Sequence, residues 1–229
     1  MCDRGDRKAP GTIAGASRLE SAGDTLMRML RIAATLVAAS GMMVGSASAA
    51  EGEKIDLRTA EGVKAVKGEW RYANVKIVEV EGKGPDGKPN TTYNIEPKAF
   101  GASFDDAKWE VLDPATLTKP RSTGQVCFCW YRTKITIPEG AAGKSVFFQT
   151  TVDDYGEVWV DGQLPRSLGK GGGAIVGGFN VPNRVELKDP QPGKVYQIAI
   201  FAINGPISAA PGNYLFLRDT FLELVDKPK

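Results

Sequence analysis

Short strand-like segments separated by turns dominate the sequence after Lys67. In the clearest of them, residues 126–137, the side chains of Val126, Phe128 and Trp130 share one face of an extended strand. Glycine, proline and aspartate separate the segments, and none shows a sustained helical period with capping residues. The predicted strands cover residues 75–80, 92–95, 126–137, 144–152, 157–160, 195–203 and 214–225. This pattern predicts an all-β fold, an antiparallel β-sandwich or barrel.

The residues before the strands have the order of a secretory signal peptide. Arg28 and Arg31 precede an apolar stretch over residues 32–44, and Ala47 and Ala49 are small residues at the spacing that signal peptidase requires. The apolar stretch is shorter than the roughly 20 residues that span a membrane. We therefore expect a signal peptide within residues 27–50, centred on 29–49, and a secreted or periplasmic protein that begins at residue 50 or 51.

Three further segments complete the expected organisation. Residues 1–26 are polar and precede Met27 and Met29, so we interpret them as an extension that results from a start codon assigned too early. Residues 51–68 are expected to form a lead-in with one short helical turn. Residues 69–229 are expected to form a single β-sandwich domain, because a mature chain of roughly 180 residues holds one domain with a sizeable core.

Charge and histidine content exclude several classes of function. The first 50 residues hold six of the 29 Lys and Arg and four of the 27 Asp and Glu, so 23 of each remain. A neutral domain with interspersed charges is not expected to bind nucleic acid, or a membrane once the signal peptide is removed. The chain has no histidine, which excludes a Ser-His-Asp mechanism and histidine-ligated zinc. Most hydrolase mechanisms are thereby excluded, and a non-catalytic role is expected, with an enzymatic role as the alternative.

Cys127 and Cys129 are the two cysteines of the expected mature chain, and they lie on the same face of a predicted strand. Their spacing along a strand is at the limit of what a disulfide bridges, and a Cys-x-Cys pair could also supply two metal ligands. No nearby residues complete a metal site. The sequence therefore favours two buried thiols.

A series of motifs resembles a known family. The motifs, in order along the chain, are residues 104–110 (FDDAKWE), 130–132 (WYR), 158–162 (VWVDG), 192–194 (PGK) and 202–204 (AIN). The series resembles the sugar-binding jelly-roll domain that precedes the catalytic barrel of family 2-type β-galactosidases and β-glucuronidases, within the galactose-binding-like superfamily. The resemblance covers about residues 104–225 and implies a jelly-roll sandwich without catalytic residues. A weaker resemblance, over residues 130–218, is to a segment that accompanies secreted bacterial gluconolactonase-like proteins.

The candidate site residues lie in predicted turns and loops. Asp153 and Asp154 could bind calcium or sugar hydroxyls, with Tyr155 as a stacking platform. In the alternative, the two carboxylates close their own turn. Adjacent carboxylates on an extended chain do not face each other as glycoside hydrolysis requires. The further ligand candidates are Trp109, Arg166 and Asn204, with Asn183 and Arg184 beside them, whereas Trp130 and Trp159 are assigned to the core.

These observations lead to one main functional hypothesis and two alternatives. The main hypothesis is a secreted, non-catalytic carbohydrate-binding or interaction module, with a glycan, a sugar acid or a protein as its partner. The alternatives are a protein associated with a glycosidase or gluconolactonase and a structural or protein-docking sandwich. Calcium is the only cofactor that the residues suggest.

Overall fold

A computed structural model describes residues 52–121, 126–165, 180–205 and 214–227. Within these residues the chain forms ten β-strands, one short α-helix and two 3-10 turns. The helix is α1 (Ala60–Ala65), and the turns are Pro114–Thr116 and Glu139–Ala141. The strands are β1 (Glu53–Asp56), β2 (Trp70–Lys83), β3 (Pro89–Glu96), β4 (Glu110–Leu112), β5 (Cys127–Thr136), β6 (Lys144–Asp153), β7 (Tyr155–Val160), β8 (Asn183–Glu186), β9 (Val195–Asn204) and β10 (Phe216–Asp226).

The strands form two antiparallel sheets. The four-stranded sheet has the order β1-β10-β6-β8, and the six-stranded sheet has the order β3-β2-β5-β9-β7, with β4 also paired to β2. Alternate side chains of both sheets meet in one buried cluster, to which β6 contributes Phe148, β10 contributes Leu222 and β9 contributes Ile198. The predicted all-β antiparallel sandwich is confirmed.

A second apolar cluster covers the other side of the six-stranded sheet, which we call the outer face. Trp130 from β5 and Phe201 from β9 pack there, 4.9 Å apart between ring centroids, under the connection formed by residues 97–109. Trp130 also donates a hydrogen bond from Nε1 to the carbonyl oxygen of Pro97. Because β5 and β9 are covered on both faces, β9 is an almost continuous apolar run rather than an alternating one.

The lead-in contributes to the sandwich. Strand β1 pairs with β10, opposing Glu53 to Leu224, and the side chains of Leu57 and Val66 are buried in the main core. The expected helical turn is present as α1. The strands β1, β4 and β8 were not predicted, because segments of three or four residues are too short to show a period of two.

The core assignment is confirmed for Trp130 and wrong for Trp159. Trp130 is 1% exposed, whereas Trp159 is only partly buried at the edge strand β7. The indole of Trp159 stacks on Phe100, with ring centroids 4.7 Å apart, and donates to the carboxylate of Glu157. An alternating pattern indicates which face a residue occupies but not how completely a loop covers that face.

Candidate functional site

The predicted residues Asp153, Asp154, Tyr155 and Asn204 lie at one end of the sandwich. Asp153 is the last residue of β6 and Tyr155 is the first of β7. In the sheet register, Tyr155 opposes Ile203, the residue before Asn204. The structure thus brings together four of the six predicted ligand residues at this end of the sheets.

Both carboxylates at this end have protein partners. Asp153 is buried, and its Oδ2 accepts a hydrogen bond from Arg218 Nε at 3.0 Å. Asp154 is also buried, and its Oδ2 accepts a hydrogen bond from the amide of Gly205 at 2.8 Å. These contacts tie the turn to Arg218 and Gly205, which are distant in the chain, rather than closing the turn on itself as the alternative predicted.

The same contacts fit a calcium ion poorly. A calcium ligand at Asp153 would compete with the guanidinium of Arg218, which already contacts the carboxylate. Within the described ranges, no group of three or more Asp, Glu or Cys side chains is arranged to hold a metal ion. Calcium binding at Asp153 and Asp154 stays a prediction.

The remaining predicted residues do not join this group. Trp109 lies in the connection over the outer face, where it is partly buried against Phe104 with ring centroids 5.3 Å apart. Arg184 belongs to the other sheet, where its guanidinium covers the ring of Phe147. Arg166 lies outside the described residues.

A polar cleft opens on the outer face. It has a volume of about 570 Å³. Charged, amide and hydroxyl side chains line it together with one aromatic ring: Lys67, Glu69, Arg71, Ser103, Phe104, Asp105, Asp106, Arg132, Lys134 and Gln197. None of these residues was among the predicted ligand contacts.

Sheet register builds the floor of the cleft. Arg71 of β2 lies directly opposite Arg132 of β5, and Lys134 of β5 lies directly opposite Gln197 of β9. Directly opposed residues in an antiparallel pair share a face, and residues two apart on a strand do so as well. The four polar side chains therefore emerge side by side on the outer face.

Arg132 fixes the wall of the cleft. It is 1% exposed, and its Nε donates to Asp106 Oδ2 at 2.7 Å. Its two Nη atoms donate to backbone carbonyls in the wall, at Ala99, Gly101 and Phe104. A buried guanidinium whose donors all point at one loop determines the path of that loop. Arg132 is therefore a positioning residue.

Gln197 lines the cleft and carries a buried acceptor. The residue is 5% exposed, and its Nε2 donates to the carbonyl oxygens of Thr133 at 3.0 Å and Ile198 at 2.9 Å. Those two bonds fix the orientation of the amide. The buried Oε1 has no hydrogen-bond partner in the described part of the chain. Leaving a buried acceptor unsatisfied costs about 1 to 3 kcal/mol, so a donor at this position would be favoured.

In the cleft the two arginines form ion pairs, whereas the two lysines do not among the described residues. Arg71 pairs with Glu69 and lies 3.9 Å from Asp106, which Arg132 also contacts. Lys67 and Lys134 are exposed, and neither has an ion pair among the described residues. The cleft thus combines two unpaired cations with a buried acceptor.

The thiols lie between the sheets. Cys129 is buried and Cys127 is partly buried, and neither forms a disulfide, as the sequence favoured. Burial raises the pKa of the Cys129 thiol well above its usual value, and burial likewise raises the pKa of Tyr72 and Tyr131. The rings of Tyr72 and Tyr131 meet edge to face, 5.1 Å apart between centroids. The thiol of Cys129 and the hydroxyl groups of Tyr72 and Tyr131 therefore stay protonated at neutral pH.

We expect the protein to lose stability as pH rises above about 9. Free cysteine and tyrosine ionise near 8.5 and 10, so the unfolded chain releases protons that folded Cys129 and Tyr131 retain. Stability falls with rising pH wherever the folded state binds more protons. Urea denaturation at intervals between pH 7 and 11 measures the slope.

Two tyrosine variants test whether the buried Tyr131 causes the loss of stability at alkaline pH. Tyr131→Phe should flatten the alkaline slope and should be neutral or stabilising at pH 7, because the buried Tyr131 hydroxyl lacks a partner in the described ranges. Tyr93→Phe, at a side chain that is 67% exposed, should leave the slope as it is. Equal slopes for wild type and Tyr131→Phe would contradict the assignment.

The cleft residues gave a sequence signal that the prediction did not use. Gln197 is a lone amide in the apolar segment 195–203, and Arg132 is a charge inside the apolar segment 126–137. A polar residue within a strand that is buried on both faces must have a partner or a ligand. Which polar residues meet depends on register, which the sequence did not reveal.

The chain was compared with known proteins. No family model matches it, and no curated protein is significantly similar to it. Within the described residues, no helix is long and apolar enough to cross a membrane.

Solved glycosidase structures align with part of this chain at low identity. A calcium-binding mutant of β-glucuronidase 2 from Bacteroides uniformis is 15% identical over 76% of this chain and 18% of that chain, with a TM-score of 0.45. A β-glycosidase from Bacteroides vulgatus is 18% identical over 76% of this chain and 20% of that chain, with a TM-score of 0.42. The chain spans about a fifth of the length of these proteins.

Proposed function

We propose that this chain is an exported, non-catalytic carbohydrate-binding module whose ligand occupies the outer-face cleft. The observation that carries the proposal is the buried Oε1 of Gln197, an acceptor without a partner in the described ranges, in a cleft lined by both donors and acceptors. A sugar hydroxyl donates one hydrogen bond and accepts others. It can therefore donate to the Oε1 acceptor of Gln197.

The size and lining of the cleft support a small saccharide. Its volume of about 570 Å³ falls in the range of about 300 to 1,000 Å³ that is usual for small-molecule sites. Phe104 supplies an aromatic ring in the wall, and Trp109 packs behind it. An apolar ring beside hydrogen-bonding groups suits a sugar, which has both apolar and hydroxyl faces.

The carboxylates of the cleft support binding without hydrolysis. Glycosidic cleavage needs one carboxyl group to donate a proton and a second to face it. Asp106 contacts the guanidiniums of Arg71 and Arg132, and Glu69 contacts that of Arg71. Carboxylates that are already engaged by guanidiniums are not free to face each other across a glycosidic bond.

Calorimetric titration with neutral and acidic oligosaccharides tests the proposal. We expect a dissociation constant of about 0.1 to 1 mM, which corresponds to about −5 to −4 kcal/mol. Gln197→Met should weaken binding about tenfold, because it removes the acceptor while keeping the chain length. Thermal unfolding shows whether the variant is folded.

The controls separate the cleft from the other end of the sandwich. Gln149→Met makes the same change on the four-stranded sheet and should leave binding unchanged. Binding that is lost in Tyr155→Ala but kept in Gln197→Met would move the site to the predicted end. Absence of binding to every glycan would contradict carbohydrate recognition and favour the protein-docking alternative. The same titration with calcium and with EDTA tests the proposed metal at Asp153 and Asp154.

Export is part of the proposal and rests on the N-terminal sequence. We expect the exported protein to begin at residue 50 or 51, since small residues stand at positions 47 and 49. Intact-mass measurement of the periplasmic or secreted fraction checks this. A mature species that retains Met29 would contradict it.

A further inference from the structure

We propose that the cleft selects saccharides that carry an anionic group, a carboxylate or a sulfate, and that Lys67 and Lys134 bind this group. The inference rests on the proposed carbohydrate function of the cleft and names the class of its ligand. Three observations carry it: the backbone conformation of Lys67, the position of Lys67 beside β5, and the pairing of the surrounding charges.

Lys67 occupies a backbone position that normally belongs to glycine. Two backbone hydrogen bonds close the end of helix α1. The amide of Gly68 donates to the carbonyl oxygen of Val63 at 2.8 Å, and the amide of Lys67 donates to the carbonyl oxygen of Lys64 at 3.1 Å. This is a Schellman motif, and its left-handed residue is Lys67, with a φ of 49°. A lysine there is less stable than a glycine, because the Cβ atom crowds the backbone. A residue kept against its backbone preference indicates a use for the side chain.

The end of the helix is fixed against strand β5. The amide of Thr136 donates to the carbonyl of Val66 at 2.7 Å. At Gly68, a Cβ atom would lie 3.1 Å from the carbonyl oxygen of Lys134, so the backbones of the two segments are in close contact. Lys67 and Lys134 therefore extend from adjoining backbone segments into the same cleft.

The acidic residues of the cleft form no ion pair with these two lysines, and four basic residues face three acidic ones. Glu69 and Asp106 are engaged by Arg71 and Arg132. Asp105 is the remaining acid, and its Oδ1 accepts the amide of Ala107 at 3.0 Å. Because the chain after residue 50 has equal numbers of acidic and basic residues, this local excess of positive charge is not a property of the whole domain.

The two lysines and the Gln197 acceptor together indicate the class of ligand. The lysines provide donors and positive charge for an oxyanion, while Gln197 Oε1 requires a donor such as a hydroxyl group. A uronic acid and a sulfated sugar both present an oxyanion on a ring with free hydroxyls. A neutral sugar would leave the lysines without a partner.

Titration with matched saccharides tests the inference. The probes are a uronic acid disaccharide, its methyl ester and a sulfated disaccharide. We expect at least one acidic probe to bind about tenfold more tightly than the ester, and this preference to shrink as NaCl is raised from 50 to 300 mM. The uronate and sulfate arms show which oxyanion the cleft prefers.

The variant Lys67→Gly separates binding from folding. It removes the side chain and restores the residue type that the left-handed position favours, so the melting temperature should be unchanged or higher. Affinity for the acidic probe should fall about three- to tenfold, with no change for the ester. Lys134→Met should act in the same direction. Asp189→Gly makes a matched change at another left-handed position outside the cleft, and it should leave binding unchanged.

The possible outcomes distinguish the proposed anion preference from the proposed carbohydrate recognition. If the ester binds in a Gln197-dependent manner while the acidic probes bind no more tightly, the anion preference is overturned and carbohydrate recognition stands. Equal affinities of wild type and Lys67→Gly for the acidic probe would overturn it as well. If no saccharide binds, the proposed function itself fails.

Discussion

Replacing Trp130 with alanine is expected to lower the free energy of unfolding by about 3 to 5 kcal/mol. The indole is 1% exposed, packs against Phe201 and donates to the carbonyl of Pro97. Its removal leaves a cavity on the outer face and removes the hydrogen bond to the partly buried carbonyl of Pro97. Domains of this size have about 5 to 15 kcal/mol of stability, so the loss is a large fraction of the total.

Urea denaturation gives the measurement, with Trp159→Ala as the matched control. Trp159 is partly buried at an edge strand and should cost less than half as much, because less apolar surface returns to water. Equal costs for the two variants would contradict the distinction between them. If Trp130→Ala does not fold, Trp130→Phe keeps one ring but loses part of the buried indole and the hydrogen bond to Pro97, and it should cost about 1 to 3 kcal/mol.

Replacing Arg132 with methionine is expected to cost about 3 kcal/mol and to disorganise the cleft wall. The change leaves Asp106 without its closest cation and removes the donors to the carbonyls of Ala99, Gly101 and Phe104. Breaking a buried ion pair from one side costs about 3 to 5 kcal/mol, and the lower end applies because Asp106 is 19% exposed. Limited proteolysis should cut residues 97–109 faster than in wild type.

Lys144→Met is the control for charge removal. Its pair with Glu53 is largely exposed, so the loss should be within about 0.5 kcal/mol. Combining Asp106→Asn with Arg132→Met should cost less than the sum of the two single changes, because the buried charge is then absent. Unchanged proteolysis together with wild-type stability would contradict the positioning role of Arg132.

The two proposals depend on different parts of the cleft. Carbohydrate recognition depends on the acceptor of Gln197 in the floor, and anion preference depends on Lys67 and Lys134. Arg132 acts through the wall, so its replacement should weaken every ligand alike. Variants at Lys67 should instead change the preference among ligands, which makes the ratio of affinities the decisive quantity.

The sequence by itself determined the fold class and most of the strands. Residues 126–137, 144–152 and 195–203 were predicted to within a few residues of β5, β6 and β9, because alternating or continuous apolar residues between turn residues are a local property. The turn after Val160 was also evident from the dipeptide Asp161-Gly162, which favours a tight turn. In the structure both residues adopt the positive φ values that such a turn requires. The short strands β1, β4 and β8 lacked such a local signal.

The tertiary structure decided which polar residues meet. Asp153 and Asp154 are conspicuous as neighbours in the sequence, yet contacts with Arg218 and Gly205 hold them inside the sandwich. Lys67 and Gln197 are 130 positions apart and line one cleft, because the register between β5 and β9 and the end of α1 place them there. A strand's own residues determine its period of two, whereas register and loop coverage depend on partners distant in the chain.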